Sequence, residues 1–193
     1  MPIMRASLDL PRSRDLARTT RAELLRYFPV GVVAALEGYF RMLYADLINT
    51  GEPYATRAAS FPNIKGDPNV MSGAEARKIS RGEFNAHQLR HNSFADISGN
   101  MTVLLATKFE SLLASDSVAP FATFAWGKRY LQHLSAELDD LFRLRHVFCH
   151  ELATKVKLPA KRAHQLCQTG VFLAILTDML MMDFIDKTRS DLC

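Results

Sequence analysis

The sequence predicts an all-α protein of about four to six helices, and three observations carry that expectation. Apolar residues recur at spacings of three and four along several long stretches. No segment alternates convincingly with period two, so no strand is expected. Proline and glycine fall between the periodic stretches, where helices must stop.

Composition fits such a domain. At 193 residues the chain can fill one core, and 48% hydrophobic with 23% charged residues is the balance of a globular protein rather than a disordered one. Lys and Arg total 24 against 20 Asp and Glu, and the resulting +4 permits a polyanionic partner without requiring one. Cys149, Cys167 and Cys193 are too few and too scattered for a disulfide framework, which points to a reducing, cytoplasmic setting. Residues 1–19 carry Arg5, Arg12, Arg14 and Arg18 with no apolar run of signal-peptide length. They read as a flexible basic arm ahead of a single domain over 20–193. The most apolar run, Val171 to Met182, is short for a membrane span and contains Asp178, so a buried helix and no membrane association are expected.

Thr19 and Thr20 precede the first long helical pattern, Arg21 to about Asn49, with Val32, Leu36, Phe40, Leu43 and Leu47 as its apolar face. Pro29 is expected to kink this helix or mark a fresh start, because it removes an amide donor and crowds the preceding turn. Gly51 and Pro53 end it. Within Ala34 to Phe40 the acid Glu37 either faces solvent or takes part in a site. Gly51, Pro53, Pro62, Gly66 and Pro68 make 51–71 a long irregular loop. Ser72 and Glu75 have capping-box spacing, opening a short helix that Gly82 stops. His87, Arg90 and His91 follow in a polar helical stretch, Glu83 to about Asn92, either on an exposed face or lining a cleft.

Ser98 or Asn100 caps the next helix, whose buried face of Val103, Leu104, Thr107, Leu112 and Leu113 runs to about Ser115. Pro120 interrupts the pattern, and Phe121, Phe124 and Trp126 form an aromatic knot suited to plugging a core. A helix from about Gly127 to Leu152 comes next. Pro159 then opens a final helix to about Lys187, with Val171, Ile175, Met179, Met182 and Ile185 as its apolar repeat.

Chemically capable residues crowd together only in Leu144-Arg145-His146-Val147-Phe148-Cys149-His150-Glu151-Leu152. On a regular helix Leu134, Leu138, Leu141 and Leu152 project within about 60° of one another, and Arg145 falls inside that stripe. An arginine aimed into an apolar face must find an anion or several acceptors. Glu37 and Asp140 are the carboxylates considered for it. His146 and His150 are four apart and share a face. His150 projects about 140° from Arg145, so the two meet only through a distorted helix end, a long reach, or a second copy of the chain.

Three chemistries compete for this stretch. In the structural one, Arg145 pairs with a buried carboxylate and the histidines are surface residues. In the second, His146 and His150 ligate a metal completed by Glu151, Cys149, His164 or Cys167; the HExxH order and paired CxxC of common zinc sites are missing, and no metal or cofactor is expected. In the third, a neutral histidine takes the proton of a ribose 2′-hydroxyl while an arginine clamps the phosphate. The 2′-oxygen then displaces the 5′-oxygen, leaving a 2′,3′-cyclic phosphate and a 5′-hydroxyl, and only RNA supplies that nucleophile.

Arg145, the four residues His146-Val147-Phe148-Cys149, and His150 resemble the signature of the HEPN family, the nucleotide-binding domains shared by higher eukaryotes and prokaryotes. Its motif is an arginine, four to six residues and a histidine, often with a polar residue after the arginine, where His146 stands. Arg81 with His87 and Arg143 with His150 also satisfy the spacing; placement near the end of a late helix, before a final long helix, selects Arg145 and His150. Ala35 to Tyr39 resembles an early helix of the family. The resemblance implies a HEPN-like up-and-down bundle and a homodimer whose two motif helices build one RNA-cutting cleft. Arg145 would bind the scissile phosphate, His150 act as general base or acid, and His146 orient or assist. It implies a toxin or effector of a prokaryotic defence or toxin–antitoxin system, with an antitoxin as partner. Glu151 stands where asparagine is frequent, and Leu152 where members silenced by adenylylation carry tyrosine. Some members bind nucleotides, RNA or protein without cutting, which is the alternative reading.

Overall fold

A helix with apolar residues on much of its circumference has to be covered on its most apolar face, and α1 (Arg18–Asn49) buries Val33, Leu36, Phe40, Tyr44 and Leu47. In this computed structural model, which describes residues 18–62, 78–127, 130–150 and 156–190, five other helices pack against it. The remaining helices among the described residues are α2 (Tyr54–Ala59), α3 (Arg81–Gln88), α4 (Phe94–Leu105), α5 (Phe109–Leu113), α6 (Ala119–Trp126), α7 (Tyr130–His150) and α8 (Ala160–Ser190). No strand occurs among the described residues, and the protein is all-α as expected.

Three long helices form the frame. Arg26 on α1 donates to the Val156 carbonyl just beyond α7, while Glu37 meets Arg145 within it, so α1 and α7 run antiparallel. Tyr39 on α1 donates to Asp178 on α8 at 2.6 Å, and Val32 lies against Gly170, so α1 and α8 run parallel with α7 opposed to both. The core between them holds Val33, Leu36, Phe40, Leu134, Leu138, Leu141, Leu166, Leu173 and Leu176. Close approach requires glycine at two places. A Cβ on Gly170 would lie 2.4 Å from Val32 Cγ1, and one on Gly82 would lie 2.2 Å from the Ala45 carbonyl oxygen.

Among the described residues eight helices stand where four to six were expected, for identifiable reasons. The loop after α1 contains α2, six residues that are marginal alone. Burial of Tyr54 and Ala58 and the Arg57 hydrogen bond to the Leu104 carbonyl at 2.9 Å hold it. The single helix expected from Ser98 or Asn100 to Ser115 is two. Its start is earlier, at Ser93, whose side chain accepts from Asp96 N at 3.0 Å; Ser98 and Asn100 lie inside α4. Ala106 adopts the left-handed conformation (φ 53°) and ends α4, and Phe109 N then donates to Thr102 Oγ1. Alanine gives no warning of such a break, since it is a strong helix former. The region of the aromatic knot is itself helical, as α6.

Gly82 does not stop a helix: it lies in the first turn of α3, with its N–H on Asn49 Oδ1 at 2.9 Å. The capping box of this region is Ser80 with Glu83. Ser72 and Glu75 lie outside the described residues, as do residues 1–17 of the expected basic arm; Arg18 and Thr19 already belong to α1. α1 runs through Pro29 without restarting.

The apolar repeat chosen for the last helix is out of phase with the core. Ile175 and Met182 are exposed, while Leu166, Phe172, Leu173, Leu176 and Leu180 are buried. Phe124 is 91% exposed rather than plugging the core, whereas Phe121 stacks on Phe172 with centroids 5.7 Å apart. The Trp126 and Ile185 side chains lie outside the described residues. The apolar part of α8 also extends further than Val171 to Met182. Ala160–Phe184 is long and apolar enough to cross a membrane by length and composition, and 50% of that window is buried in the fold, as in a core helix.

Candidate functional site

The last turns of α7 carry the site residues. Leu134, Leu138, Leu141 and Leu144 form the buried stripe that docks this helix on α1 and α8. Leu152 lies outside the described residues. Arg145 leaves the edge of that stripe, with 29% of its side chain exposed. Its Nη2 donates to Glu37 Oε1 at 3.3 Å, and Glu37 is itself only 20% exposed. Of the two readings of Glu37, the solvent-facing one is therefore corrected. The acid is the anion that the buried guanidinium requires. A signal for it existed, because Glu37 projects within about 60° of Phe40 and Tyr44 on α1.

Asp140, the other carboxylate considered for Arg145, is engaged elsewhere. Arg143 and Arg162 both donate to it at 2.5 Å, and Arg162 also pairs with Glu137. Burial by itself would raise the Asp140 carboxyl, but the hydrogen bonds and charges of Arg162 and Arg143 hold it below the usual carboxylate range. This network fastens the start of α8 to α7 one to two turns before the motif.

His146 and His150 stand on the exposed side of α7 with ring centroids 5.0 Å apart, as their spacing of four requires. The helix stays regular through His150. Arg145 and His150 consequently leave it about 140° apart and make no hydrogen bond to each other among the described residues. The structure thus brings Arg145 to Glu37, and His146 to His150, as two separate pairs on neighbouring sides of one helix end.

Cys149 is exposed beside the histidines, whereas burial pushes the Cys167 thiol up to about 11. Among the described residues no three His, Cys, Asp or Glu side chains converge in a way that could hold a metal ion; Glu151 lies outside them. Of the polar stretch expected to be exposed or cleft-lining, His87 and Arg90 are exposed but His91 is buried, its ring stacked on Tyr44 at 5.3 Å. The physical reason is tertiary: α3 packs along α1, and the chain turns inward where α3 ends.

No family model, no curated protein and no solved structure matches this chain.

Proposed function

We propose that the chain is a metal-independent endoribonuclease of HEPN type. The observation that carries this reading is the half-buried Arg145, fixed through Glu37 beside the exposed pair His146 and His150 at the end of the penultimate long helix. A fixed guanidinium is pre-organised for an oxyanion, and exposed imidazoles can exchange protons with a substrate.

In this mechanism His150 removes the proton of a ribose 2′-hydroxyl, or protonates the leaving group. The 2′-oxygen forms a bond to phosphorus as the bond to the 5′-oxygen breaks. Arg145 stabilises the charge that builds on the phosphate oxygens, and the departing 5′-oxygen takes up a proton. His146 orients the substrate or assists the transfer. The products are a 2′,3′-cyclic phosphate and a 5′-hydroxyl. The divergence of Arg145 and His150 on one helix is relieved when two copies face each other and share one cleft. The exposed, uncharged side of α1, with Tyr27, Gly31, Ala34, Ala35 and Met42, supports such pairing, because an apolar strip of this length is normally covered. In the cell this reading makes the chain a cytoplasmic toxin or effector of a defence or toxin–antitoxin system, held by an antitoxin partner.

The test is incubation of the purified chain with labelled RNA and its DNA counterpart in excess EDTA, beside Arg145→Ala and His150→Ala. RNA-only cleavage that leaves cyclic phosphate ends and is lost in both variants supports the proposal; absence of cleavage from a folded dimer rejects it. One observation favours a second reading, a non-catalytic module binding nucleotide, RNA or protein. Arg145 already has an acidic partner in Glu37, which satisfies it without any substrate. That reading requires RNA or nucleotide binding that is weakened in Arg145→Ala while no RNA is cut.

A further inference from the structure

Among the described residues, a group of buried, unpartnered polar atoms that includes one cation lies one helical turn along α1 from the Glu37–Arg145 pair. Arg41 follows Glu37 by four residues and therefore sits on the same side of α1, about 6 Å further on. Facing it is the end of α3. His91 is 3% exposed, with its ring against Tyr44. Gln88, the last residue of α3, precedes it by three positions.

Three side-chain atoms here, Arg41 Nε, Gln88 Nε2 and His91 Nε2, are buried and have no hydrogen-bond partner among the described residues. Buried polar atoms are nearly always satisfied, and three orphans gathered where the end of α3 packs on α1 call for a common cause. Arg41 and Gln88 can only donate from these atoms. The Leu89 backbone favours the protonated His91 ring, and a protonated ring carries a donor on both nitrogens, Nε2 included. Arg41 makes no ion pair among the described residues. The set is thus two fixed donors, one proton-dependent donor and an uncompensated positive charge.

We infer that Arg41, Gln88 and His91 form an anion site that takes an oxygen of a phosphate group, supplied either by an RNA strand or by a free nucleotide or phosphate ion. Where the ligand is RNA, the site deepens the nuclease proposal and rests on it, holding a phosphate next to the one at Arg145. The groups facing His91 are Arg41 and Tyr44 from α1, His87 from α3, Asp96 from α4 and the Leu89 backbone. Burial, then the Arg41 charge, keep the imidazole below its usual range; the Leu89 hydrogen bond and Asp96 oppose this less strongly. Below pH 6.5 a neutral buried imidazole therefore opposes folding when the site is empty, since the unfolded chain takes up a proton that the fold does not. A bound anion reverses this by stabilising the protonated ring, so anion and proton must bind together.

The test is a titration of the full chain with inorganic phosphate, with adenosine 5′-monophosphate, and with a 2′-O-methyl RNA oligonucleotide that cannot be cut, following the His91 ring proton by NMR between about pH 5 and 8. Ligand should raise the His91 midpoint by about one unit or more, and affinity should strengthen as pH falls. Arg41→Met and Gln88→Leu, at partly buried positions, should each weaken binding about tenfold while helicity by circular dichroism is kept. Arg145→Ala should leave the phosphate and nucleotide response intact. A response to the oligonucleotide at concentrations where phosphate and nucleotide give none identifies the RNA backbone as source; the opposite order identifies the small anion. An unmoved His91 resonance with all three probes, or an unchanged response in Arg41→Met, overturns the site. Cleavage of RNA with His91 unmoved would sink this inference alone, and a His91 response without any cleavage would sink the nuclease reading alone.

Discussion

Arg145 on α7 and Glu37 on α1, 108 residues apart in the chain, meet at 3.3 Å between Nη2 and Oε1. The contact ties the end of the motif helix to the central helix and fixes which way the guanidinium points. Its energy is modest, since both side chains retain some solvent, but its removal leaves a largely buried charge unbalanced.

Glu37→Gln should therefore lower stability by about 1 kcal/mol, read as a urea midpoint at neutral pH. On the proposed nuclease reading, RNA cleavage should fall by more than that loss explains, because Arg145 loses its anchor. Equal cleavage in Glu37→Gln and the parent chain would show that Glu37 does not position Arg145.

On the proposed nuclease reading, in which exposed His150 is the general acid or base, His150→Ala should reduce cleavage by about two to four orders of magnitude with little effect on stability. His146→Ala should cost less, since its assigned role is to orient. The order is checked by single-turnover rates on one labelled RNA, and a larger loss in His146→Ala would exchange the two roles.

The Asp140 network gives a stability term with a defined pH window. Arg162 and Arg143 hold the Asp140 carboxyl below its ordinary value of 3.8 in the fold. Its contribution is present above that value and disappears as pH falls through the lower folded one. Asp140→Asn should thus cost about 1–2 kcal/mol at neutral pH, and the difference from the parent chain should shrink as pH falls below 3.8. Urea unfolding at neutral and acid pH measures it; a difference that persists in acid would mean that the amide disturbs packing instead.

Two glycine substitutions should act in opposite directions. In Gly82→Ala the new Cβ would stand 2.2 Å from the Ala45 carbonyl oxygen, forcing α3 off α1 at a cost of about 2–3 kcal/mol. In Gly99→Ala, on exposed α4 surface with nothing within 4 Å, the fold should gain about 0.5–1 kcal/mol from helix propensity. Thermal unfolding of both variants is the check, and destabilisation of similar size in both would show that close approach is not what requires glycine at position 82.

Helical class, the end of α1 at Gly51, the stripe Leu134, Leu138 and Leu141 on α7, and the shared face of His146 and His150 were all legible without coordinates. Each depends on residues within a few positions of one another, where 3.6-residue periodicity and turn chemistry decide the outcome. Arg145 likewise announced that it needed an anion, because a charge at the edge of an apolar stripe cannot stay unbalanced.

Which anion it received was not local information. Glu37 and Asp140 were equally eligible until α1 arrived antiparallel to α7 and Arg162 on α8 took Asp140. The same holds for α8, where apolar residues on several sides left the buried face undetermined, and contact with α1 and α7 selected Leu173 and Leu176 over Ile175 and Met182. It holds for α2 and the break at Ala106, which exist because distant partners bury or bond them. Periodicity along the chain limits which residues can share a face. Only the packing of helices far apart in sequence decides which face is covered and which charges meet, because burial and pairing energies belong to contacts between elements.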